Sequence, residues 1–147
     1  MLVVFGPIYM VVETAPGRIP AEGEDVSTTY YDSLPGGQAA NQALAAARYG
    51  TRTALVGKVG DDATGHRILN NLRRHEVMTS GVARSETLPT GMCLVMKTDG
   101  VRRTVLRLVS ANTELSADQI PDEILTEGHT VLTQTSVPHA DVGTLLV

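Results

Sequence analysis

Residues 35–60 read "PGGQAANQALAAARYGTRTALVGKVG", and this stretch is the most informative part of the sequence. Residues 38–49 are rich in alanine and contain neither glycine nor proline, so they predict a helix that ends at Gly50. Residues 53–60 form an apolar run typical of a buried strand. A helix followed directly by such a strand indicates a parallel sheet with crossover helices.

The rest of the chain continues this alternation of strands and helices. The apolar residues 2–5, ended by Gly6 and Pro7, predict a first buried strand, and Asp61-Asp62 predict the start of a second helix through residue 76. We also predict a strand at 26–34, a hairpin at 92–109 that turns at Asp99-Gly100, a short helix capped by Ser116, a strand at 129–136 and a helix from residue 138. The hairpin and the strand at 26–34 do not fit the parallel layer, so we predict a separate small antiparallel sheet for them.

Composition excludes several classes of partner. The 147 residues carry a net charge of −4, and only 3% of them are aromatic, which argues against a nucleic-acid partner. The apolar start has no basic flank and is interrupted by Gly6 and Pro7, so we predict neither a signal peptide nor a membrane partner. Cys93 is the single cysteine, so no internal disulfide can form, which fits a cytoplasmic location.

The glycine pair before the first helix allows two interpretations. Gly36 and Gly37 either form a simple strand-to-helix turn or let the backbone come close to a ligand, because glycine has no Cβ. The first turn of a helix presents unpaired N–H groups and a positive dipole end, which suit an oxygen-rich ligand. Asn41 follows one turn later, and asparagine is a poor choice inside a helix unless its side chain has a partner.

Two motifs together resemble the ribokinase, or PfkB, family of carbohydrate kinases. The first is "GGQAANQALAAARYG" followed by "TRTALVGKVGDDATG", with matching positions at Gly36, Gly37, Asn41, Ala43, Gly50 and Gly60. The second, "PTGMCLVMKTDGVRRTVLRLVSANTELS" at 89–116, is similar to the family's lid hairpin and the Ala-Asn stretch after it. The resemblance implies an α/β fold with a Rossmann-like parallel sheet, flanking helices and a small antiparallel β-sheet lid. It makes residues 1–147 the N-terminal part of the domain, with lid segments at about 12–35 and 88–110.

The same resemblance implies a substrate site and a reaction. The family phosphorylates a hydroxymethyl group of a sugar or nucleoside, using ATP and Mg²⁺. Substrate-binding positions carried over on the motifs are Gly36, Gly37, Gln38 and Asn41, with Cys93 and Val95 on the lid strand. Tyr9 and Val11 stand where ribokinases have Asn and Asp, Ser136 stands where they often have a carboxylate, and Gln38 stands where they often have Lys. Carboxylates accept charge-assisted bonds from paired hydroxyls and valine cannot, so the sequence disfavours ribose itself.

The catalytic base is expected outside this sequence. In the family it is the Asp of a Gly-Ala-Gly-Asp turn, and no such turn is present. We therefore expect a missing C-terminal half that carries the base and the nucleotide site, and we expect the 147-residue chain alone to be inactive. The alternative is a non-catalytic sugar- or nucleoside-binding module, or a degenerate homologue that acts by association. Exposed lid strands would allow a homodimer.

Other chemistry-bearing residues have simpler interpretations. The four histidines show neither an i,i+4 pair nor a cysteine partner, so we predict no metal site. Cys93 lies in an apolar strand and is predicted to be packed rather than nucleophilic. Asp61-Asp62 are predicted to start a helix rather than to act as an acid–base pair. Arg102, Arg103 and Arg107 are either solvated positions of the hairpin or phosphate contacts.

Overall fold

The computed structural model describes residues 1–98, 102–124, 129–134 and 136. Its strands and α-helices are β1 (Leu2–Phe5), β2 (Tyr9–Thr14), β3 (Tyr31–Gly36), α1 (Gln38–Arg48), β4 (Thr53–Gly60), α2 (Ala63–Arg74), β5 (Met78–Ser85), β6 (Met92–Thr98), β7 (Arg102–Arg107) and β8 (Thr130–Thr133). Three short 3₁₀ turns lie between β7 and β8, at Ala111–Glu114, Ala117–Gln119 and Asp122–Ile124.

The larger sheet is parallel, with strand order β5-β4-β1-β8. Side chains alternate between its two faces, so Val3 and Phe5 point to one side and Val4 points to the other. Val3, Val4 and Phe5 are all fully buried, which explains why the sequence of β1 contains no polar residue. The predicted α/β class with a parallel sheet and flanking helices is confirmed.

Helices α1 and α2 cover the Val4 face of this sheet. Ala39 and Ala43 of α1 are fully buried there, and Ile68 and Leu72 of α2 join the same apolar cluster. Small alanine side chains let α1 lie close to the strands. The Val3 and Phe5 face is covered instead by Leu115, Ile120 and Ile124 from the 3₁₀ segments.

The smaller sheet has strand order β3-β2-β6-β7 and is mixed, not wholly antiparallel as predicted. β2 pairs antiparallel with β3, and β6 pairs antiparallel with β7, but β2 and β6 run parallel. The reason lies in the larger sheet. β2 follows β1 in the chain, and β6 follows β5. Because β1 and β5 run parallel in the larger sheet, their carboxyl ends lie at the same end of that sheet, and the chain leaves both strands in the same direction.

Four further elements differ from expectation. β3 begins and ends later than the predicted strand 26–34 because it pairs with β2 up to Gly36, and as an edge strand it tolerates Pro35. β5 and β2 were not predicted as separate strands; β5 is a half-exposed edge strand whose sequence, "MTSGVARS", has little apolar character. Ser116 caps a 3₁₀ turn rather than an α-helix. The predicted turn at 99–100 and the helix from residue 138 lie outside the described residues.

Candidate functional site

A cavity of about 610 Å³ lies between one face of the smaller sheet and the start of α1. Pro7 follows β1 and Ser136 follows β8, so the cavity sits at the carboxyl ends of the parallel strands, where α/β folds commonly bind ligands. Its lining residues are Pro7, Tyr9, Val11, Glu13, Gly37, Gln38, Asn41, Cys93, Val95, Lys97, Arg103, Val105, Arg107 and Ser136. The structure therefore brings together all of the predicted site residues except Gly36, which lies beside the cavity in β3.

Strand register explains how the smaller sheet forms one wall. Val11 of β2 lies opposite Cys93 of β6, and Cys93 lies opposite Arg107 of β7. Because side chains alternate along a strand, every second residue on each of the three strands faces the cavity. Cys93 and Val95, on the central strand β6, are only 7% and 8% exposed. They form the apolar floor of the cavity.

Backbone conformation and the close approach of neighbouring backbone atoms both require glycine at position 37. It is the N-cap of α1 and has a φ of 100°, which side-chain-bearing residues rarely adopt. A Cβ built on Gly37 would lie 2.6 Å from the Pro7 carbonyl oxygen and 3.0 Å from the Tyr9 nitrogen. A Cβ on Gly36 would lie 2.7 Å from Cγ2 of Val11. The close approach that these glycines permit is thus to β2 and the turn before it, and a ligand contact stays a prediction.

The polar wall comes from the first turn of α1. Asn41 is exposed, and its side chain makes no hydrogen bond to any residue that the structure describes. The Ser136 hydroxyl donates to Oε1 of Gln38 at 2.9 Å. The first turn of α1 carries no acidic residue that would cap its N–H groups. An amide, a hydroxyl and the positive end of a helix therefore face the cavity, which suits a ligand rich in oxygen atoms.

The sequence analysis missed Glu13 as a site residue. It lies two positions after Val11 on the same face of β2, so the cavity does contain a carboxylate near the place where one was expected. Its Oε1 accepts a hydrogen bond from Nζ of Lys97 at 2.6 Å. Lys97, Arg103 and Arg107 were also missed as cavity residues. Alternation along the hairpin strands was the available signal, but it needed the strand register to identify the face.

Cys93 is buried, and its burial raises the pKa of the thiol. The positive charge of Arg107 acts in the opposite direction and lowers that pKa, but its effect is smaller. A cysteine nucleophile needs a thiolate and therefore a lowered pKa. The result favours the packed interpretation of Cys93 over the nucleophilic one.

A second cavity of about 480 Å³ adjoins the first and shares Pro7, Tyr9, Arg107 and Ser136 with it. Asn112 lines it and is hydrogen-bonded to the turn between β1 and β2. The Ile8 N–H donates to Oδ1 of Asn112 at 2.9 Å, and Nδ2 of Asn112 donates to the Ile8 carbonyl at 2.7 Å. These two bonds hold the backbone that separates Pro7 from Tyr9, which both line the cavities.

Asp62 is confirmed as the residue that starts α2, where it is the N-cap. Its Oδ1 accepts from the Gly65 N–H and the Thr90 hydroxyl, and its Oδ2 accepts from the Thr90 N–H, each at 2.7 Å. Partial burial acts to raise the pKa of Asp62, but the hydrogen bonds together outweigh it and lower that pKa. Asp62 thereby ties the start of α2 to the segment that leads into β6.

The sequence also predicts neither a metal site nor a membrane partner. Within the ranges that the structure describes, no group of three or more His, Cys, Asp and Glu side chains is placed to hold a metal ion. None of the helices in that part of the chain is long and apolar enough to span a bilayer.

Comparison with known proteins gives a consistent family. The family model described as "pfkB family carbohydrate kinase" matches residues 1–145. The chain is 33% identical over 141 residues to a ribokinase of Lactococcus lactis, a match that covers 92% of this chain and 46% of that protein. It is 46% identical over 76 residues to a ribokinase of Bacillus subtilis, covering 52% of this chain and 26% of that protein.

A solved structure agrees with both sequence matches. The Arabidopsis thaliana ribokinase complexed with ribose and ATP superposes with a TM-score of 0.79 at 28% identity, covering 99% of this chain and 49% of that one. The chain thus spans no more than about half the length of these relatives. Because the family model matches nearly every residue and the fold agrees, the chain belongs to the pfkB family of carbohydrate kinases.

Proposed function

We propose that this chain is the substrate-binding half of an ATP-dependent kinase that phosphorylates a hydroxymethyl group of a sugar or nucleoside. The observation that carries the proposal is the cavity of about 610 Å³ where the start of α1 meets the smaller sheet, because the predicted site residues other than Gly36 all line it. A volume of about 610 Å³ is within the range of small-molecule sites.

Each wall of the cavity has a role in this proposal. Asn41 and Glu13 offer an amide and a carboxylate to sugar hydroxyls, and such bonds fix the orientation of the ring. Cys93 and Val95 form an apolar floor that packs against carbon atoms and keeps water out. The smaller sheet, in segments at about 12–35 and 88–110, acts as a lid over the bound sugar. Holding the acceptor hydroxyl in place is a large part of phosphoryl-transfer catalysis.

The phosphoryl donor and the catalytic base are assigned to other parts of the protein. ATP is the proposed donor, because the similar Arabidopsis ribokinase was solved with ribose and ATP. The residues that the structure describes hold no acidic cluster suited to Mg²⁺, so we assign none of them to the metal and derive no step through it. We propose that the base and the nucleotide site belong to a C-terminal half, and that the 147-residue chain alone does not turn over ATP.

The experiment is a phosphorylation assay on the native protein with a panel of sugars and nucleosides. We expect one class of acceptor to give a phosphorylated product, identified by mass spectrometry, and the Asn41→Ala variant to lose most of the kcat/KM. Absence of product from every acceptor, with folded protein and Mg²⁺-ATP present, would contradict the proposal. The 147-residue chain, assayed alongside, should give no product.

A second candidate is a non-catalytic sugar- or nucleoside-binding protein that acts by association. The observation in its favour is that Val11 and Ser136 stand where sugar-binding carboxylates are common, which fits a site no longer under catalytic demand. Saturable binding of an acceptor without any phosphorylated product would support this candidate over the kinase.

We also propose that two copies associate through the smaller sheet. Its edge strands β3 and β7 expose large apolar side chains, with Tyr31 75% exposed and Leu34 and Leu106 each 54% exposed. Exposed strand edges with apolar side chains favour pairing. Light scattering coupled to size-exclusion chromatography should give twice the monomer mass, and a monomer at micromolar concentration would contradict the dimer.

A further inference from the structure

The cavity has an excess of positive charge in a chain whose net charge is −4. Among the described residues that line it, three side chains are cationic, Lys97, Arg103 and Arg107, and one is a carboxylate, Glu13. The described lining therefore carries two more positive charges than negative ones. A neutral sugar needs no such excess, because its hydroxyls are bound well by amides and carboxylates.

Strand register places these cations on the cavity face. Arg103 lies opposite Lys97 and Arg107 lies opposite Cys93, so both arginines share the face of the cavity floor. Arg102 is on the same strand but on the opposite face, and it does not line the cavity. Val105 lies between Arg103 and Arg107 on the same face of β7. Arginine side chains are long, so both guanidinium groups can reach a single ligand group that lies above Val105.

The carboxylate of Glu13 is already paired within the cavity. Its partner is Lys97 at 2.6 Å, and the part of the lining that the structure describes contains no further acidic side chain for either arginine. Asp32 is opposite Glu13 on the edge strand β3, but it does not line the cavity and its Oδ1 accepts from the Ser33 N–H. Among the ion pairs of the described residues, none includes Arg103 or Arg107.

Two further features agree with a positive cavity. Arg107 lies opposite Cys93 of the buried floor, and its charge acts to lower the pKa of that thiol, against the larger effect of burial. The start of α1, whose first turn has no acidic residue, points its positive dipole end at the same space. Guanidinium groups and helix starts both favour carboxylate and phosphate oxygens.

We propose that the acceptor molecule of this site carries a carboxylate or phosphate group, as a sugar acid or a sugar phosphate does, and that Arg103 and Arg107 bind that group. The inference rests on the proposed function and narrows its substrate class. It also gives a physical reason for Val11: a ligand anchored through an anionic group depends less on a second carboxylate for its hydroxyls.

The test is calorimetric binding to the native protein without nucleotide, using matched pairs of probes. Fructose 6-phosphate is compared with fructose, gluconate is compared with glucose, and inorganic phosphate is measured alone. We expect at least one anionic sugar to bind about tenfold or more tightly than its neutral partner, since hydrogen bonds between a guanidinium and an anionic group are stronger than those between neutral groups. Which pair responds distinguishes phosphate from carboxylate recognition.

The variants Arg103→Gln and Arg107→Gln should each remove about tenfold or more of that preference, whereas Arg102→Gln on the opposite face should keep it. All three positions are exposed, so we expect the variants to fold. Equal binding of neutral and anionic partners would overturn the inference, as would full binding by both cavity variants. Inorganic phosphate that binds as tightly as the sugar phosphate would also overturn it, because the sugar would then play no part.

A parallel phosphorylation assay separates this inference from the proposed function. If a neutral sugar is phosphorylated and Arg103→Gln and Arg107→Gln have no effect, the kinase proposal stands and the inference fails. If an anionic sugar binds through the two arginines and no acceptor of the panel is phosphorylated, the inference stands and the kinase proposal fails.

Discussion

Ile8 and Asn112 are joined by two hydrogen bonds, although 104 positions separate them in the sequence. The bonds hold the turn between β1 and β2, where Ile8 is fully buried. Pro7 and Tyr9, on either side of Ile8, line both cavities. The geometry of the candidate site thus depends on a residue that follows the hairpin strands, far along the chain.

Asn112→Ala should lower the free energy of unfolding by about 1–3 kcal/mol, because a buried N–H and a buried carbonyl both lose their partner. Urea unfolding of the native protein, followed by circular dichroism, measures the change. Asn112→Asp serves as a comparison, since a carboxylate can still accept from the Ile8 N–H but cannot donate to the Ile8 carbonyl. Its free energy of unfolding should lie between those of the wild type and Asn112→Ala. Equal stability of the wild type and Asn112→Ala would show that the turn between β1 and β2 does not depend on Asn112.

Gly37→Ala should destabilise the fold by about 2–4 kcal/mol, because alanine is strained at a φ of 100° and its Cβ would lie 2.6 Å from the Pro7 carbonyl oxygen. Gly17→Ala is the matched control, since a Cβ there has no neighbour within 4 Å. It should change stability by less than about 0.5 kcal/mol. Thermal unfolding of both variants measures the difference, and similar melting temperatures would contradict the packing argument.

Asp62→Asn should make the stability of the protein less dependent on pH in the acid range. The pKa of Asp62 is lower in the folded state, so its contribution is fully present above the ordinary aspartate pKa of about 3.9 and is lost as pH falls through the lower folded value. Urea midpoints at neutral pH and at about pH 3 measure this loss in the wild type.

The exposed loop residue Asp25, changed to Asn, provides the control for Asp62→Asn. It should leave the acid-range slope of the wild type unchanged. Asp62→Asn should also lower stability at neutral pH by about 1 kcal/mol, because an amide NH2 in place of one carboxylate oxygen cannot accept the hydrogen bonds that Asp62 receives from Gly65 and Thr90. Identical pH profiles for the wild type and Asp62→Asn would refute the assigned role of this carboxylate.

Asn41→Ala should weaken acceptor binding about tenfold without lowering stability. The Asn41 side chain is exposed and makes no hydrogen bond within the described part of the chain, and alanine is the better helix former. Calorimetry with the acceptor identified by the phosphorylation assay measures the affinity. Asn70→Ala on α2, an exposed asparagine outside this cavity, should leave affinity unchanged.

Local sequence was sufficient wherever neighbours along the chain determine the structure. The alanine-rich run predicts α1 and its end near Gly50, Asp62 predicts the start of α2, and the residues flanking Asp99-Gly100 form paired strands. Apolar runs predict β1 and β4 because these strands are buried on both faces. β5 lacks that signal, because an edge strand with half-exposed positions carries too few apolar residues to be recognised.

The family motifs predict where the candidate site lies, but they do not predict which charged side chains line it. Local sequence was enough to predict that Gly37, Gln38 and Asn41 lie at the start of an alanine-rich helix of an α/β fold. The parallel pairing of β2 with β6 is visible only in the folded protein, and its register brings Glu13, Lys97 and the two arginines to one cavity. A strand's own sequence indicates its two faces, but the strand it pairs with depends on the end of the larger sheet at which the chain leaves it.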